Sequence, residues 1–572
     1  MAGGLLNLIA IGNTNIILTG NPTKSFFKSS YSKYTNFGLQ KFRIDQRGQT
    51  NLSVSKDTTY KFKINRYGDL LMDTYLVIKL PKIWSPILKY TKYNNNNDYR
   101  PYEFKWINNI GTNIIKEINF SIGGRSIQKF SGNYIQSIVE RDFSSQKKKL
   151  FDIMIGNVAE INDPANYSNR NNNYPNAFKI SDTSLNNVEH SIDEYILYIP
   201  INIWFTLLNT MALPLICLQY AELEIDFTLR PLEELFTIKD VLTDISFDNI
   251  TNYDNISRRK PNQNENFAYN IKFFLQEPIK KDISLNDINT IYDISSTFKI
   301  PDFDIHLITT QCFLDNEERS LFANNNQIYL IKQVREYNFE KINKSSKIKL
   351  ESNGQVSNWM FYFQRNDVKD RNEWSNYSNW PYDNIIPNSM EKLKINDNLI
   401  YYNLNNSYNI DDLSKNIYIT GYTPESNEQQ NFYSILKDFA IIIDGKYREN
   451  SLPAGIYEKI EKYTRTSGNS KQGLYHYNFT LNSDSSKYQP MGAFNTNKFK
   501  TIEFEYNLTS NPPIDLSNVN VSQICDPITR EVIATSKEPT SIYQYNYNLY
   551  IMEECYNILL FQSGTADLVY GR

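Results

Sequence analysis

The segment Ile196–Phe236, ILYIPINIWFTLLNTMALPLICLQYAELEIDFTLRPLEELF, contains the most regular strand pattern in the chain. Its apolar positions are Leu223, Ile225, Phe227 and Leu229, and they alternate with Glu222, Glu224, Asp226, Thr228 and Arg230. A period of two indicates a strand with one buried face and one wet face, as in an antiparallel sheet. The apolar segment before it, Ala212–Tyr220, is too short to span a bilayer. We expect it to be a core-filling crossover between two sheets.

Length and composition favour a folded, multidomain, strand-rich protein. The chain has 572 residues, which exceeds the size of one ordinary hydrophobic core and predicts two or more domains. Hydrophobic residues make up 40% and aromatic residues 14% of the chain, which disfavours disorder of the chain as a whole. The 42 tyrosines and 32 phenylalanines favour strands, and the Asn-rich spacers favour turns.

The charge distribution does not indicate a nucleic-acid-binding protein. The chain carries 60 basic and 63 acidic residues, for a net charge of −3, and no basic stripe runs along it. The densest early basic cluster, Lys147–Lys149, follows a predicted helix. We interpret this cluster as the solvated C-terminal end of that helix.

The cysteines and the N-terminus bear on cellular location. Cys217, Cys312, Cys525 and Cys555 are far apart and have no CxxC spacing, so we expect neither a disulfide framework nor a zinc site. A reducing compartment fits this pattern. The first 20 residues are apolar but lack the basic residues of a signal peptide, and no run is long enough for a transmembrane helix. We therefore expect a soluble protein outside the usual secretory route.

Strand signals recur through the first half. Apolar alternation predicts strands around Tyr60–Ile64 and Leu76–Leu80, and Gly123-Gly124 predicts a hairpin turn before a return strand Arg125–Phe130. A helix is predicted near Asn133–Phe143, with Asn133 as its cap. The Asn-rich residues 157–190 predict a long loop.

The second half repeats this organisation after a less regular stretch. Residues 231–300 predict a linker with an insertion, in which Phe267–Leu275 has a strand pattern and Arg258–Pro261 an exposed turn. A strand is then predicted from Ile305 to Phe313, and Asp315 caps a short helix. Later signals are a strand near Gln327–Tyr337, a polar loop at Arg371–Tyr377 and a hairpin turn at Asp444-Gly445. Apolar residues at every second position predict three more strands. These residues are Trp359, Phe361 and Phe363; Tyr475, Tyr477, Phe479 and Leu481; and Ile502, Phe504, Tyr506 and Leu508.

The sequence predicts no catalytic, cofactor-binding or metal-binding residues. His190, His306 and His476 lie in separate segments, and the HExxH, GxSxG and GxGxxG motifs are missing from the sequence. We expect His306 and His476 to be packed or edge residues of strands. Paired carboxylates of a glycosidase remain an open alternative, because outward strand faces carry many acids.

Several short strings occur in the same order as in the major capsid proteins of nucleocytoplasmic large DNA viruses, which the chain resembles. They are Met1–Leu6, Leu18–Pro22 with Phe26-Phe27, Ile122–Gly124, the Leu-Pro-Leu and Leu-Gln-Tyr strings of residues 213–220, Phe313–Ala323 and Gln489–Asn495. The resemblance covers both ends and both halves. Residues 157–190, 231–300 and 380–430 do not match, and Ser563–Asp567 stands where relatives have a Gly-Met-Gly-Gly-type tail.

The resemblance implies an all-β fold of two consecutive eight-stranded antiparallel jelly rolls, with long loop insertions and a few short helices. The corresponding division is an N-terminal arm at residues 1–24, a first jelly roll at 25–230, a linker or insertion at 231–300, and a second jelly roll with a C-terminal tail at 301–572. In this family the arm lies on the inner face of the shell.

The function implied by the resemblance is structural and not enzymatic. Three copies would form a homotrimeric, pseudo-hexagonal capsomer in the icosahedral shell of a large DNA virus, without a cofactor. Expected partners are neighbouring capsomers, minor capsid and penton proteins, and an internal membrane near the arm, with no direct contact to nucleic acid. The expected location is the virion capsid, assembled in the host cytoplasm. Alternatives are a minor capsid paralogue or a carbohydrate-binding β-sandwich.

Overall fold

The fold is described from a computed structural model of the chain. The described residues are 3–29, 31–48, 51–85, 87–91, 97–171, 173–175, 189–239, 258–259, 271–277, 300–342, 345–380, 383, 433–469, 471–508, 522–525, 532–536 and 545–571. The strands are, in chain order, β1 Phe37–Asp45, β2 Thr58–Ile64, β3 Leu70–Leu80, β4 Ile87–Thr91, β5 Asn97–Pro101, β6 Glu103–Trp106, β7 Ile115–Ile122, β8 Arg125–Phe130, β9 Tyr195–Pro200, β10 Leu213–Pro214, β11 Leu223–Leu229, β12 Phe236–Lys239, β13 Arg258–Arg259, β14 His306–Leu314, β15 Gln327–Ile342, β16 Ser346–Lys349, β17 Gln355–Arg365, β18 Leu436–Ile443, β19 Lys446–Pro453, β20 Leu474–Asn478, β21 Phe494–Asn495, β22 Ile502–Leu508, β23 Ser522–Cys525, β24 Val532–Ser536, β25 Tyr547–Gln562 and β26 Thr565–Leu568.

Short helices connect these strands. The α-helices are α1 Gly3–Ile9, α2 Ile16–Thr19, α3 Ile110–Asn113, α4 Gly132–Asp142, α5 Ser145–Met154, α6 Ala159–Asn162, α7 Trp204–Leu207, α8 Ile271–Leu275, α9 Asn316–Asn324, α10 Val368–Arg371 and α11 Glu461–Arg465, and the last follows a π-helical turn, Ile456–Ile460. Short 3-10 turns lie at Asn13–Asn15, Tyr167–Asn169, Asn209–Met211, Leu215–Cys217, Leu232–Glu234 and Thr496–Lys498.

Seven strands of the first half, together with β14, form two facing antiparallel sheets. One sheet has the order β1-β14-β3-β9, with β10 also paired to β3, and the other has the order β2-β11-β7-β8. When the eight strands β1, β2, β3, β7, β8, β9, β11 and β14 are renumbered 1 to 8 in chain order, the two sheets have the strand orders 1-8-3-6 and 2-7-4-5. This is the connectivity of a jelly roll, in which two antiparallel sheets close over one core.

The second half repeats the same connectivity. One sheet has the order β15-β25-β17-β20, with β21 on β17 and β26 on β25, and the other has the order β16-β22-β18-β19. Numbered along the chain, these eight strands again give 1-8-3-6 and 2-7-4-5. The predicted fold class, two consecutive eight-stranded antiparallel jelly rolls, is therefore confirmed.

The alternating residues of β11 behave as the sequence predicts. Leu223, Ile225, Phe227 and Leu229 are buried, and the intervening residues are partly exposed. β11 lies between β2 and β7, so its backbone is paired on both sides. The Ala212–Tyr220 segment crosses from one sheet to the other, because β10 pairs with β3 while β11 pairs with β2, and this prediction is also confirmed.

Both predicted two-residue turns are present. Gly123 and Gly124 have φ values of +58° and +77°, and Asp444 and Gly445 have +45° and +76°. Positive φ at both central residues is the geometry of a type I′ turn, which matches the twist of the flanking strands. Each turn joins neighbouring antiparallel strands, β7 to β8 and β18 to β19.

Strand β14 corrects the predicted grouping of the chain. The sequence pattern groups Ile305–Phe313 with the second jelly roll, at residues 301–572, but the strand pairs along its length with β1 and β3. Without it, the first sheet would split between those two strands. The first jelly roll therefore closes after the predicted linker at 231–300, while the other domain limits remain predictions.

Other local predictions are also wrong. Ile271–Leu275, predicted as part of a strand, is helix α8, and Arg258-Arg259, predicted as part of a turn, pairs with β12. The cap residue of α4 is Ser131 and not Asn133. The Lys147–Lys149 run lies in the first half of helix α5 and not at the end of α4.

Candidate functional site

The structure places the three histidines in separate elements. His306 is buried in β14, His476 is buried in β20, and His190 is partly exposed, 3.5 Å from Asp193. The strand placement of His306 and His476 is as predicted. Within the described ranges, no group of three or more His, Cys, Asp or Glu side chains is arranged to hold a metal ion. No helix in the described part of the chain is long and apolar enough to cross a membrane.

The main polar feature is a junction between the two jelly rolls, built on β17. One face of this strand, with Trp359, Phe361 and Phe363, packs in the core of the second jelly roll. The opposite face carries Met360 and Tyr362, which belong to a core cluster that includes most buried residues of the first jelly roll. β17 is thus buried on both faces, and the second of these faces is an interdomain surface.

Helix α4 of the first jelly roll supplies the other side of the junction. Ile135, Ile138 and Val139 hold it against the first core. Its first residue must be glycine, because a Cβ on Gly132 would lie 1.9 Å from the Thr112 carbonyl oxygen. This close approach fixes the helix, whose last turn then carries Glu140, Arg141 and Asp142 into the protein.

Arg141 bridges the two jelly rolls. Its guanidinium Nε and Nη2 donate to the two carboxylate oxygens of Asp142 at 2.7 and 2.8 Å. Its Nη1 lies 3.0 Å from Glu554 Oε2 on β25 and donates to Asn358 Oδ1 on β17 at 3.1 Å. The Arg141 side chain is 0% exposed.

Both carboxylates of this cluster have further donors. Tyr134 Oη donates to Glu554 Oε1 at 2.9 Å, and Asn358 Nδ2 donates to Glu554 Oε2 at 2.7 Å. Asp142 Oδ2 accepts from the Ser485 amide at 3.1 Å and its hydroxyl at 2.7 Å. The Arg141–Asp142 and Asn358–Glu554 bonds each lie within one half of the chain. Every other bond of this cluster joins a residue of the first half to a residue of the second.

The electrostatics agree with a charged, paired cluster. Burial alone would raise the pKa of Glu554, but Arg141 and then Lys332 outweigh it, so the pKa is below its ordinary value. Removing one partner of a buried pair leaves an uncompensated charge, so such a cluster disfavours any other arrangement of the two domains. Arg141, Asp142 and Glu554 therefore link the two jelly rolls through buried ion pairs and hydrogen bonds.

The segment 366–380 forms a second interdomain contact. Asn372 Nδ2 donates to the carbonyls of Glu233 and Phe236, each at 2.8 Å, and the Arg230 guanidinium lies 3.9 Å from the Trp374 ring centroid. Arg365 and Arg371 hold the segment at its base through Asp367, at 2.7 and 2.8 Å. The sequence predicts only a polar loop at Arg371–Tyr377, although Asn372 and Tyr377 are buried.

The described residues before β1 form an exposed apolar arm. Large side chains of this arm stand in solvent, and they include Leu5, Leu6, Leu8, Ile9, Ile11, Ile16, Ile17, Leu18, Phe26, Phe27, Tyr31 and Tyr34. Neither α1 nor α2 buries a residue. An exposed apolar segment of this length is typical of a contact surface for another molecule.

Sequence reasoning predicts none of these junction residues. The run Glu140-Arg141-Asp142 has the composition of a solvent-facing helix end, and Glu554 lies in β25 among both polar and apolar residues. The available signal is indirect: Met360 and the large Tyr362 separate the core-facing aromatics of β17, a pattern that is not typical of a solvent-facing strand face.

Comparison with known proteins gives a consistent result. The family model described as "Major capsid protein N-terminus" matches residues 25–260, and "Large eukaryotic DNA virus major capsid protein" matches residues 318–567. Over 245 residues the chain is 33% identical to "Capsid protein 1" of Acanthamoeba polyphaga mimivirus, covering 42% of this chain and 36% of that protein. Over 369 residues it is 27% identical to "Major capsid protein" of Chrysochromulina ericina virus, covering 62% of this chain and 56% of that protein.

Solved structures support the fold. The PBCV-1 VP54 structure fitted into a reconstruction of the virophage Sputnik aligns with a TM-score of 0.58 at 17% identity, over 96% of this chain and 100% of that chain. The Faustovirus major capsid protein aligns with a TM-score of 0.57 at 11% identity, over 96% and 94% of the two chains. At such low identities the likeness shows a shared fold and nothing further.

Proposed function

Because this chain belongs to the major capsid protein family of large eukaryotic DNA viruses, we propose that it is the lattice-forming subunit of an icosahedral capsid. The observation that carries the proposal is the repetition of one jelly-roll connectivity in both halves, joined by a buried ionic junction. A subunit made of two similar domains held in one orientation presents the same fold twice.

Three such subunits around a threefold axis present six jelly rolls, which gives the trimer a pseudo-hexagonal outline. Closed rotational symmetry lets one set of contacts be used three times without leaving an open edge. The Arg141 cluster contributes by holding the two jelly rolls of each subunit at one angle. A variable angle would change the outline of the trimer and its fit to its neighbours.

Exposed apolar side chains on α11 and the preceding turn are candidates for a subunit contact. Tyr463 is 91% exposed and Ile460 is 55% exposed, and their spacing places them on one side of the helix. Permanent interfaces between subunits are large and partly apolar. We assign this pair to the contact between copies, and the exposed arm before β1 to the inner side of the shell.

The same proposal sets location and partners. The protein acts in the virion capsid, and its assembly takes place in the host cytoplasm. Its partners are other copies, neighbouring capsomers, minor capsid and penton proteins, and an internal membrane close to the arm. Its role is structural and involves no catalysis, cofactor or direct contact with nucleic acid, in keeping with the net charge of −3.

The test is the solution mass of the purified chain, measured by light scattering across a range of concentrations. A stable trimer has three chains of 67.0 kDa, or about 201 kDa. The double variant Ile460→Ser/Tyr463→Ser should weaken the trimer, whereas the neighbouring conservative variant Thr464→Ser should not. A monomer at high concentration would contradict the proposal. Abundance in purified virions separates a lattice subunit from a minor capsid paralogue.

A further inference from the structure

A buried histidine lies on the junction face of the second jelly roll. Across β17 and β20, Asn358 stands opposite Asn478, Met360 opposite His476, and Tyr362 opposite Leu474. Paired residues of neighbouring strands point to the same side of a sheet. His476 therefore shares its face with Met360, whose Sδ lies 3.5 Å from Arg141 Nη1.

Among the described residues, the imidazole of His476 has no hydrogen-bond partner. His476 is 0% exposed, and neither Nδ1 nor Nε2 has a hydrogen bond within the described part of the protein. Lys462, on the adjacent helix α11, is 3% exposed, and its ammonium group also has no hydrogen-bond partner there. Buried polar groups are nearly always paired, so two unpaired basic groups at one domain junction are a distinctive arrangement.

Positive groups are the main charges acting on His476. Burial, then Lys462 and then Arg141, lowers its pKa well below the ordinary value, so the ring is neutral in the folded protein. The acidic groups of the surrounding elements include Glu140 and Asp142 on α4, Glu458 beside α11, Glu461 in α11, and Glu554 on β25. Each already has a partner. Glu140 bonds Lys148, Glu458 accepts from the Gly473 amide, Glu461 accepts from Asn478 Nδ2, and Asp142 and Glu554 bind Arg141.

We propose that His476 makes this junction acid-sensitive, because a proton on its ring adds a positive charge beside Arg141 and Lys462 at a face that offers it no acceptor. The folded junction excludes the proton, and the opened junction, in which the ring meets water, accepts it. Protonation of His476 therefore favours opening between α4 of the first jelly roll and β17 and β20 of the second. The inference goes beyond the proposed capsid role and does not depend on it.

The pH window follows from the sign of each shift. A histidine whose folded pKa is lowered binds its proton only in the open state, so opening increases as pH falls below the ordinary value of 6.5. Burial lowers the pKa of Lys462 to about 7. The contribution of Lys462 to the opening equilibrium therefore varies with pH above pH 7 and is constant below pH 7. Glu554, with a pKa below its ordinary 4.5, acts only in stronger acid. Glu336 on β15 accepts from the amide and hydroxyl of Ser131 at the start of α4, and burial raises its pKa to about 7, so its protonation opposes opening as pH falls. The part of the pH dependence that belongs to His476 is therefore the part that replacing His476 removes.

The experiment is hydrogen–deuterium exchange of the full chain from pH 7.5 to 5.0, followed by mass spectrometry and corrected for intrinsic exchange. The readout is the opening constant of the α4 amides. Each constant is expressed relative to its own value at pH 7.5. Below pH 6.5, the ratio of the wild-type constant to that of His476→Gln or His476→Leu should rise by up to tenfold per pH unit. The control His190→Gln should keep the wild-type slope.

Parallel pH profiles of the wild-type chain and both His476 variants would overturn the proposal. If neither variant folds, exchange of the histidine C2 protons in the wild-type chain gives a direct test, since the chain has 3 histidines. His476 should remain unprotonated at pH 6 in the folded protein. Ordinary titration of His476 near pH 6.5 would overturn the proposal.

Discussion

Replacing Arg141 by methionine tests whether the buried ionic cluster holds the two jelly rolls together. The change removes a guanidinium that is 0% exposed and leaves the carboxylates of Asp142 and Glu554 without their cation. Breaking a buried pair in this way costs about 3–5 kcal/mol. Here each carboxylate keeps two donors, from Ser485 or from Tyr134 and Asn358, so we expect the lower end, about 3 kcal/mol.

The assay is thermal and urea unfolding of the purified chain at neutral pH. For a cooperative unit of about 150–250 residues, a loss of 1 kcal/mol lowers Tm by about 2–4 °C, so Arg141→Met should lower it by about 6–12 °C. The matched control is Arg43→Met. Arg43 pairs with Asp45 and Asp304, but its side chain is 51% exposed. Exposed pairs contribute about 0–1 kcal/mol.

A further change separates an unpaired charge from lost packing. In the double variant Arg141→Met/Glu554→Gln, one of the stranded carboxylates is neutral, so part of the lost stability should return. Equal stability of Arg141→Met and Arg43→Met would refute the reasoning. An additive double variant would show that Arg141 and Glu554 do not act as a pair.

Three other predictions concern packing and pH. Gly132→Ala should abolish recovery of soluble folded protein, because its Cβ would lie 1.9 Å from the Thr112 oxygen, whereas Gly4→Ala, with nothing within 4 Å, should express normally. Phe227→Ala should lower the free energy of unfolding in urea by about 3–5 kcal/mol, and exposed Leu150→Ala by less than about 0.5 kcal/mol. Burial raises the pKa of Asp367, but the charges of Arg365 and Arg371 outweigh burial and hold this pKa below the ordinary 3.8. The stabilisation of the folded protein by ionised Asp367 is therefore lost as pH falls through that lowered pKa. The urea midpoint of wild type should therefore fall more steeply than that of Asp367→Asn below pH 4, and parallel profiles would contradict this.

The strand patterns predict the fold well where one face is wet. In β11 and β2, alternation of apolar and polar residues gives the strand, its buried face and its antiparallel partners. The turns at Gly123-Gly124 and Asp444-Gly445 are equally predictable, since both central residues need positive φ. These signals are local, and local physics determines them.

The sequence fails where a residue's role depends on distant parts of the chain. β14 pairs with β1 across more than two hundred intervening residues, and its own composition does not indicate which sheet it completes. Arg141 has the character of a surface residue in α4, and only the approach of β17 and β25 buries it. The same holds for Asn372, whose amide satisfies two carbonyls of the other jelly roll.

The most direct test of the account is electron microscopy of the purified, assembled chain. The account predicts a particle with threefold symmetry and a pseudo-hexagonal outline, in which each of three subunits contributes two jelly rolls in one fixed orientation. Single subunits, or particles in which the two jelly rolls of a subunit adopt varying angles at neutral pH, would contradict it.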